Sequence, residues 1–240
     1  MKFAVIAAGE GSRLAAEGVH EPKPLVCVGH ERLIDRLIRI FMVNNAEEIV
    51  VICNDKTAMV ARHLVELQRN GLKGCPVPLR FVIKNTSSSM HSFFEICKFL
   101  QDGPFVLTTV DTVFREDAFS RFVKTFRQTS VDGLMGVTDY VDDEKPLYVK
   151  TDTEMNILSF LDEKEDCRFV SAGVYGLRDT AIYTLHNCIA RGEQRMRNFQ
   201  RALIAEGCQL RAYPLGKVFD IDHAADISKA EQFLNMENDE

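Results

Sequence analysis

The sequence predicts a three-layer α/β/α fold around a mostly parallel, mixed sheet. Two observations carry this. Runs that are apolar at nearly every position alternate with amphipathic segments, and a glycine-bearing turn follows the first run. Strands that are apolar throughout are covered on both faces, which calls for helices on both sides of a parallel sheet.

Taken in order, Lys2–Ala7 reads as the first strand. The spacing of Ile34, Leu37, Ile38 and Phe41 gives one apolar face to a helix over Leu33–Asn44. Strands follow at Glu48–Cys53, Leu79–Ile83, Phe105–Val110 and Gly133–Thr138, with helices over Thr57–Arg69, Ser89–Leu100 and Asp117–Arg127 between them. The second half changes character. Pro146–Lys150, Ile157–Leu161, Phe169–Leu177 and Leu210–Pro214 read as shorter strands, and helices are expected over Thr180–Ala190, Met196–Ala205 and Ala224–Leu234. No Pro/Gly-rich linker or repeat interrupts the chain, so one domain over 1–240 is expected, with a frayed tail at 235–240.

Composition narrows the function. The chain has 29 Lys and Arg against 35 Asp and Glu, a net charge of −6. That disfavours a nucleic-acid partner. No apolar run approaches the ~20 residues of a membrane span, so no membrane partner is expected. The seven cysteines are scattered without a CxxC pair, and the six histidines show no zinc spacing. No signal peptide is visible at the N-terminus. Reduced, mostly buried thiols in a cytoplasmic protein, monomeric or homo-oligomeric, are the expectation.

Three stretches carry chemistry. In "AAGEGSR", Gly9 and Gly11 follow the first strand, where ligands of open α/β sheets sit. Glycine allows close backbone approach to a phosphate, and free amides there can donate to it. Leu14 stands where a dinucleotide fingerprint needs its third glycine, and no Walker lysine follows. In "EPKPL", prolines on both sides restrict Lys23 and keep it out of a helix. A rigid loop with one cation suits a phosphate, although a solvated turn lysine is the commoner case. In "TTVDTVF" and "KVFDIDHAAD", Asp111 ends a strand, and Asp220 and Asp222 share a face if Val218–Asp222 is extended. Phe219 and Ile221 then face the core. Such carboxylates repel unless a cation sits among them, and Mg²⁺ typically takes one or two carboxylates plus phosphate oxygens.

These residues together resemble the signature of the nucleotidyltransferases that make nucleoside-diphosphate sugars, and of their cytidylyltransferase relatives. The resemblance runs over nearly the whole chain and implies a nucleotide-diphospho-sugar transferase-like fold. It implies a nucleotide-binding half at 1–140 and an acceptor-binding half at 141–234. It implies an NTP and a phosphorylated small molecule as substrates, with Mg²⁺, or Mn²⁺, held by Asp111, Asp222 and Asp220. Arg13 and Lys23 would be catalytic. Ala8, Gly9, Gly11 and Ser12 would hold the triphosphate, and Ser88 and Ser89 would lie near the base. "FLDEK" is similar to a family stretch whose lysine contacts the acceptor phosphate, which implies that role for Lys164. "SAGVY" is similar to one lining the acceptor pocket, which implies Gly173. Three departures stand out: "KNTSSSMHSF" lacks the usual glycines, Glu165 replaces a proline, and Ser171 replaces an asparagine.

The implied reaction joins a sugar 1-phosphate to the α-phosphorus of an NTP and releases pyrophosphate. Its nucleophile is already ionised, which agrees with the absence of a persuasive His, Cys or Ser nucleophile. Alternatives are a cytidylyltransferase for a phosphorylated amino alcohol or polyol, and an inactive relative that binds a nucleotide sugar. His91, His223 and the arginines of "RMRNFQRALIAEG" have structural explanations that outweigh functional ones, the arginines as a solvated helix face.

Overall fold

The computed structural model describes residues 1–56, 58–142 and 145–235. Thr57, expected to start a helix, and the tail from 236 onward, expected to fray, lie outside the described residues.

Among the described residues, nine strands form one mixed sheet. They are β1 (Lys2–Ala7), β2 (Ile49–Cys53), β3 (Leu79–Ile83), β4 (Phe105–Thr109), β5 (Gly133–Thr138), β6 (Tyr148–Thr151), β7 (Ile157–Leu161), β8 (Phe169–Leu177) and β9 (Leu210–Pro214). The order runs β7-β6-β8-β4-β1-β2-β3, with β5 beside β8 and β9 beside β5. The N-terminal four pair in parallel, β4-β1-β2-β3. Helices return the chain between these strands, as parallel pairing requires. The second half is antiparallel around β8, except that β9 joins β5 in parallel.

The helices are α1 (Ser12–Ala16), α2 (Leu33–Val43), α3 (Ala58–Asn70), α4 (Ser89–Cys97), α5 (Glu116–Gln128), α6 (Thr180–Ala190), α7 (Met196–Ala205) and α8 (Ala224–Asn235). The two-residue period of β1 divides its side chains between two cores. Phe3, Val5 and Ala7 join α2, α3 and α5 through residues such as Phe41, Leu64 and Phe119. Ala4 and Ile6 join α4, α6 and α7 through Phe93, Leu185 and Phe199. Phe3 stacks on Phe41 at 4.6 Å between ring centroids. Each such fully buried ring contributes roughly 1.5–3 kcal/mol over an exposed one.

Two local expectations change. Lys23 is not outside all helical structure: Lys23–Leu25 form one 3₁₀ turn with Pro24 inside it. The extension expected over Val218–Asp222 stops early, because the only strand there is Phe219–Asp220, paired with Thr112–Val113. The chain bends at Ile221, where the Asp222 amide donates to the Asp220 carbonyl at 3.1 Å. Phe219 and Ile221 are buried, as their apolar character demands.

Candidate active site

The parallel pairing of β1 and β4 sets Ile6 beside Thr109, so the chain leaves both strands at one edge. From β1 it enters the Ala8–Ser12 loop, and from β4 it reaches Asp111. Gly11 has φ 61°, a left-handed conformation that favours glycine, and a Cβ there would lie 3.3 Å from the Cβ of Lys23. Asn54, buried just beyond β2, donates through Nδ2 to the carbonyls of Ala8 at 3.1 Å and Gly9 at 3.2 Å. The loop is thus tied to the neighbouring strand before any ligand binds. Glu10, at its tip, pairs with Lys56.

Lys23 is the centre of the site. Its Nζ donates to Asp111 Oδ2 at 2.8 Å and to Asp222 Oδ1 at 2.7 Å. Its side chain is only 10 % exposed. Burial opposes the charge, but Asp111 and Asp222 outweigh it and hold the ammonium above the usual lysine range. Arg13 donates to the other oxygen of Asp222 at 3.0 Å. Asp111 and Asp222, from distant parts of the sequence, therefore meet around one cation.

Asp220 takes a different direction. Its Oδ1 accepts from Thr112 Oγ1 at 3.0 Å, and Thr112 pairs with Thr109 at 2.7 Å. Gly173 packs against this pair: with φ 69°, it would place a Cβ 3.1 Å from Thr112 Oγ1. Asp226, in the first turn of α8, accepts from the amides of Asp222 at 3.2 Å and His223 at 2.8 Å. Glu17 accepts from the Ala224 amide at 2.7 Å and pairs with His223 Nδ1 at 2.6 Å. These bonds fix the segment carrying Asp222 to both α8 and the end of α1.

Asp111 and Asp222 each offer one oxygen to a shared cation. Mg²⁺ uses this donor pattern when phosphate oxygens and water complete its shell. Among the described residues, no three His, Cys, Asp or Glu side chains form a metal cage by themselves. Asp111 and Asp222 could therefore hold a divalent ion whose remaining ligands come from outside the chain.

Beside this cluster lies a cavity of about 300 Å³, where Arg13, Asp220 and Asp222 are joined by Tyr140, Asp142 and Lys229. Lys229 pairs with Asp142 at 2.9 Å and Asp226 at 3.2 Å. Ser171 also lines the cavity and donates to the buried Gln200 at 3.0 Å. Tyr175, buried behind it, has its phenol pushed up to about 12 by that burial.

Lys164 does not line this cavity. It stands exposed in the turn after β7, where its carbonyl accepts from the Cys167 amide at 2.9 Å. Asp162 in the same turn is gripped by Arg197 at 2.7 Å and Arg201 at 2.8 Å. Those two arginines also donate to the carbonyls of Lys145 and Phe160. They are structural ties, and the simple solvated helix face expected from sequence is corrected accordingly. Ser88 caps α4 and pairs with His91 Nδ1 at 2.9 Å, with Ser89 next in the helix.

Asn54, Thr112, Glu17, Asp226 and Gln200 escaped the sequence reading. Asn54 and Thr112 adjoin the ends of strands already expected to carry ligands, which is the one signal that could have found them.

The family model described as nucleotidyl transferase matches residues 2–236. No curated protein sequence matches the chain significantly. Among solved structures, the fold is similar to the inositol-1-phosphate CTP transferase from T. maritima, at TM-score 0.79 and 18% identity, covering 99% of this chain and 96% of that one. It is also similar to a UDP-glucose pyrophosphorylase complexed with UDP-glucose, at TM-score 0.79 and 14% identity over 99% of each chain. A third is the CTP:phosphocholine cytidylyltransferase from Streptococcus pneumoniae, at TM-score 0.74 and 17% identity over 97% of this chain and 98% of that one.

Proposed function

The chain belongs to the nucleotidyl transferase family, and on that premise we propose that it joins an NTP to a sugar 1-phosphate, giving a nucleoside-diphosphate sugar and pyrophosphate. The observation that carries this reading is the clasp of Lys23 between Asp111 and Asp222, with Arg13 on the same carboxylate. Two cations and two carboxylates at the exit of β1 and β4 suit the transfer of one polyanion onto another.

In this reading an oxygen of the acceptor phosphate attacks the α-phosphorus, and the bond from that phosphorus to the bridging β-oxygen breaks. Pyrophosphate leaves opposite the attacking oxygen. The nucleophile is ionised, so no residue takes a proton. Positioning and charge neutralisation supply the rate. The backbone of Ala8–Ser12 would lie along the β- and γ-phosphates. Arg13 would fork onto them, since a guanidinium matches phosphate oxygens in pairs. Lys23 would meet the α-phosphate. Asp111 and Asp222, with Asp220 supporting through Thr112, would hold Mg²⁺, whose charge screens the phosphates when it is bound. Ser88 and Ser89 would lie toward the base. The acceptor would occupy the cavity beside Gly173 and Ser171, with Lys164 folding in from its turn to the acceptor phosphate.

A second reading is a cytidylyltransferase for a phosphorylated amino alcohol or polyol. The likeness of the fold to an inositol-1-phosphate CTP transferase and to a CTP:phosphocholine cytidylyltransferase favours it. One experiment tests both: pyrophosphate release from each common NTP paired with sugar 1-phosphates, inositol phosphate and phosphocholine. Release with a sugar 1-phosphate is expected. Release only with the alcohols selects the second reading, and none with any pair removes both. Lys164→Ala should weaken acceptor binding in calorimetry and leave NTP binding unchanged. Equal loss of both ligands would remove Lys164 from the acceptor site.

A further inference from the structure

Lys23 sits where a cation shared by Asp111 and Asp222 would sit, at 2.8 and 2.7 Å from their oxygens. Arg13 adds a second positive charge on Asp222. The formal charges of these four side chains cancel. A divalent ion added with Lys23 in place would meet an ammonium a few ångströms away and carboxylates already neutralised. If Lys23 moved off with no anion to receive it, a largely buried ammonium would lose its counter-charges, which is costly. A triphosphate removes both obstacles, because it supplies new oxygens for Lys23 and Arg13. The stem of Lys23 packs beside Gly11 of the phosphate loop, so its amine can change partners while Pro22 and Pro24 hold the backbone.

We propose that Lys23 is a resident cation for the Asp111–Asp222 pair, and that it yields the pair to a divalent ion only as it moves onto the triphosphate. This rests on the nucleotidyl-transfer reading, which supplies both ion and triphosphate. Metal and nucleotide then bind together, and the nucleotide-free protein has little affinity for metal. A purely structural salt bridge would behave differently: it would keep Lys23 on the pair, and the affinity for metal low, with a triphosphate bound as well as without one.

The test is Mn²⁺ titration of the nucleotide-free full-length chain, with the free ion read by electron paramagnetic resonance. Wild type should bind weakly. Lys23→Met should bind one ion about tenfold or more tightly, because two carboxylates lose their partner charge. Adding Asp111→Asn to Lys23→Met should abolish the gain. Unchanged or weaker binding by folded Lys23→Met overturns the proposal, as does a gain that survives Asp111→Asn. Lys23→Gln serves if the methionine variant does not fold. The wild-type titration also decides by itself: a micromolar Mn²⁺ site lost in Asp111→Asn, with no nucleotide present, overturns it. None of these readings uses turnover. An active enzyme without the gain loses only this inference, and the gain in a chain that releases no pyrophosphate leaves only the reaction in question.

Discussion

Ile221 donates its backbone N–H to the carbonyl oxygen of Asp111 at 3.1 Å. This bond continues the small ribbon of Thr112–Val113 and Phe219–Asp220 and brings the segments of Asp111 and Asp222 side by side. The two carboxylates are therefore held by main-chain bonds rather than by their side chains alone.

If both act on one ion, their losses should not add. Asp111→Asn and Asp222→Asn should each lower turnover by about two orders of magnitude and raise the Mg²⁺ concentration needed for half activity. The double variant should be little worse than the poorer single. Steady-state rates across a metal titration check this. Full turnover in chelator, or independent effects of the two changes, would remove the shared ion.

Gly173→Ala tests the backbone next to the cavity, whose wall includes Ser171 and Ala172. A left-handed alanine costs about 1–2 kcal/mol, and its Cβ would crowd Thr112 Oγ1 at 3.1 Å. Because Thr112 holds Asp220, acceptor KM should rise more than NTP KM. Denaturant unfolding and two-substrate kinetics measure the two effects separately. A stable variant with both KM values unchanged would show that this contact is idle.

Acid should act through the ion-pair cluster between α2 and α5. Arg39 binds Glu31 at 2.8 Å and Glu116 at 2.6 Å. Hydrogen bonds from Arg39 hold the Glu116 carboxyl below its usual 4.5, against the opposing effect of burial. A depressed carboxyl contributes stability that is present above pH 4.5 and disappears as pH falls through the lower folded value. The Tm advantage of wild type over Glu116→Gln should be largest near neutral pH and shrink below about pH 4.5. A constant difference down to acid unfolding would contradict the assignment.

Thiol chemistry offers a fourth check. Burial pushes Cys53, Cys97 and Cys188 up to about 11, while Cys27 and Cys75 are exposed. At neutral pH a thiol reagent should modify Cys27 and Cys75 first and leave the other three until the chain unfolds. Peptide mapping of the labelled chain identifies the order. Early labelling of Cys53, which ends β2 beside Ala7 of β1, would mean that this strand opens readily.

The central strands were legible because burial on both faces leaves few polar positions, and Gly133–Thr138 and Phe169–Leu177 are bounded as the sequence suggests; the edge strand Leu79–Ile83 has its expected bounds although Arg80 and Ile83 are exposed. The carboxylates were legible as a set, since Asp111 ends a strand and Asp222 precedes a helix. Their different partners, Lys23 for Asp222 and Thr112 for Asp220, were not. A two-residue period puts Asp220 and Asp222 on one face only while the backbone stays extended, and the bend at Ile221 cancels that premise. Asn54 and Thr112 act through partners far away in sequence, and no local pattern marks such a bond.

β8 pairs with β4, β5 and β6 at once. Nine residues from the second half therefore finish the sheet of the first. A fragment ending near residue 140 would present β4 with a bare, apolar flank, a template for association with other chains. Supplying the remainder of the sequence as a separate polypeptide would fill that flank, so the two pieces, each insoluble alone, should reconstitute one soluble particle when made together.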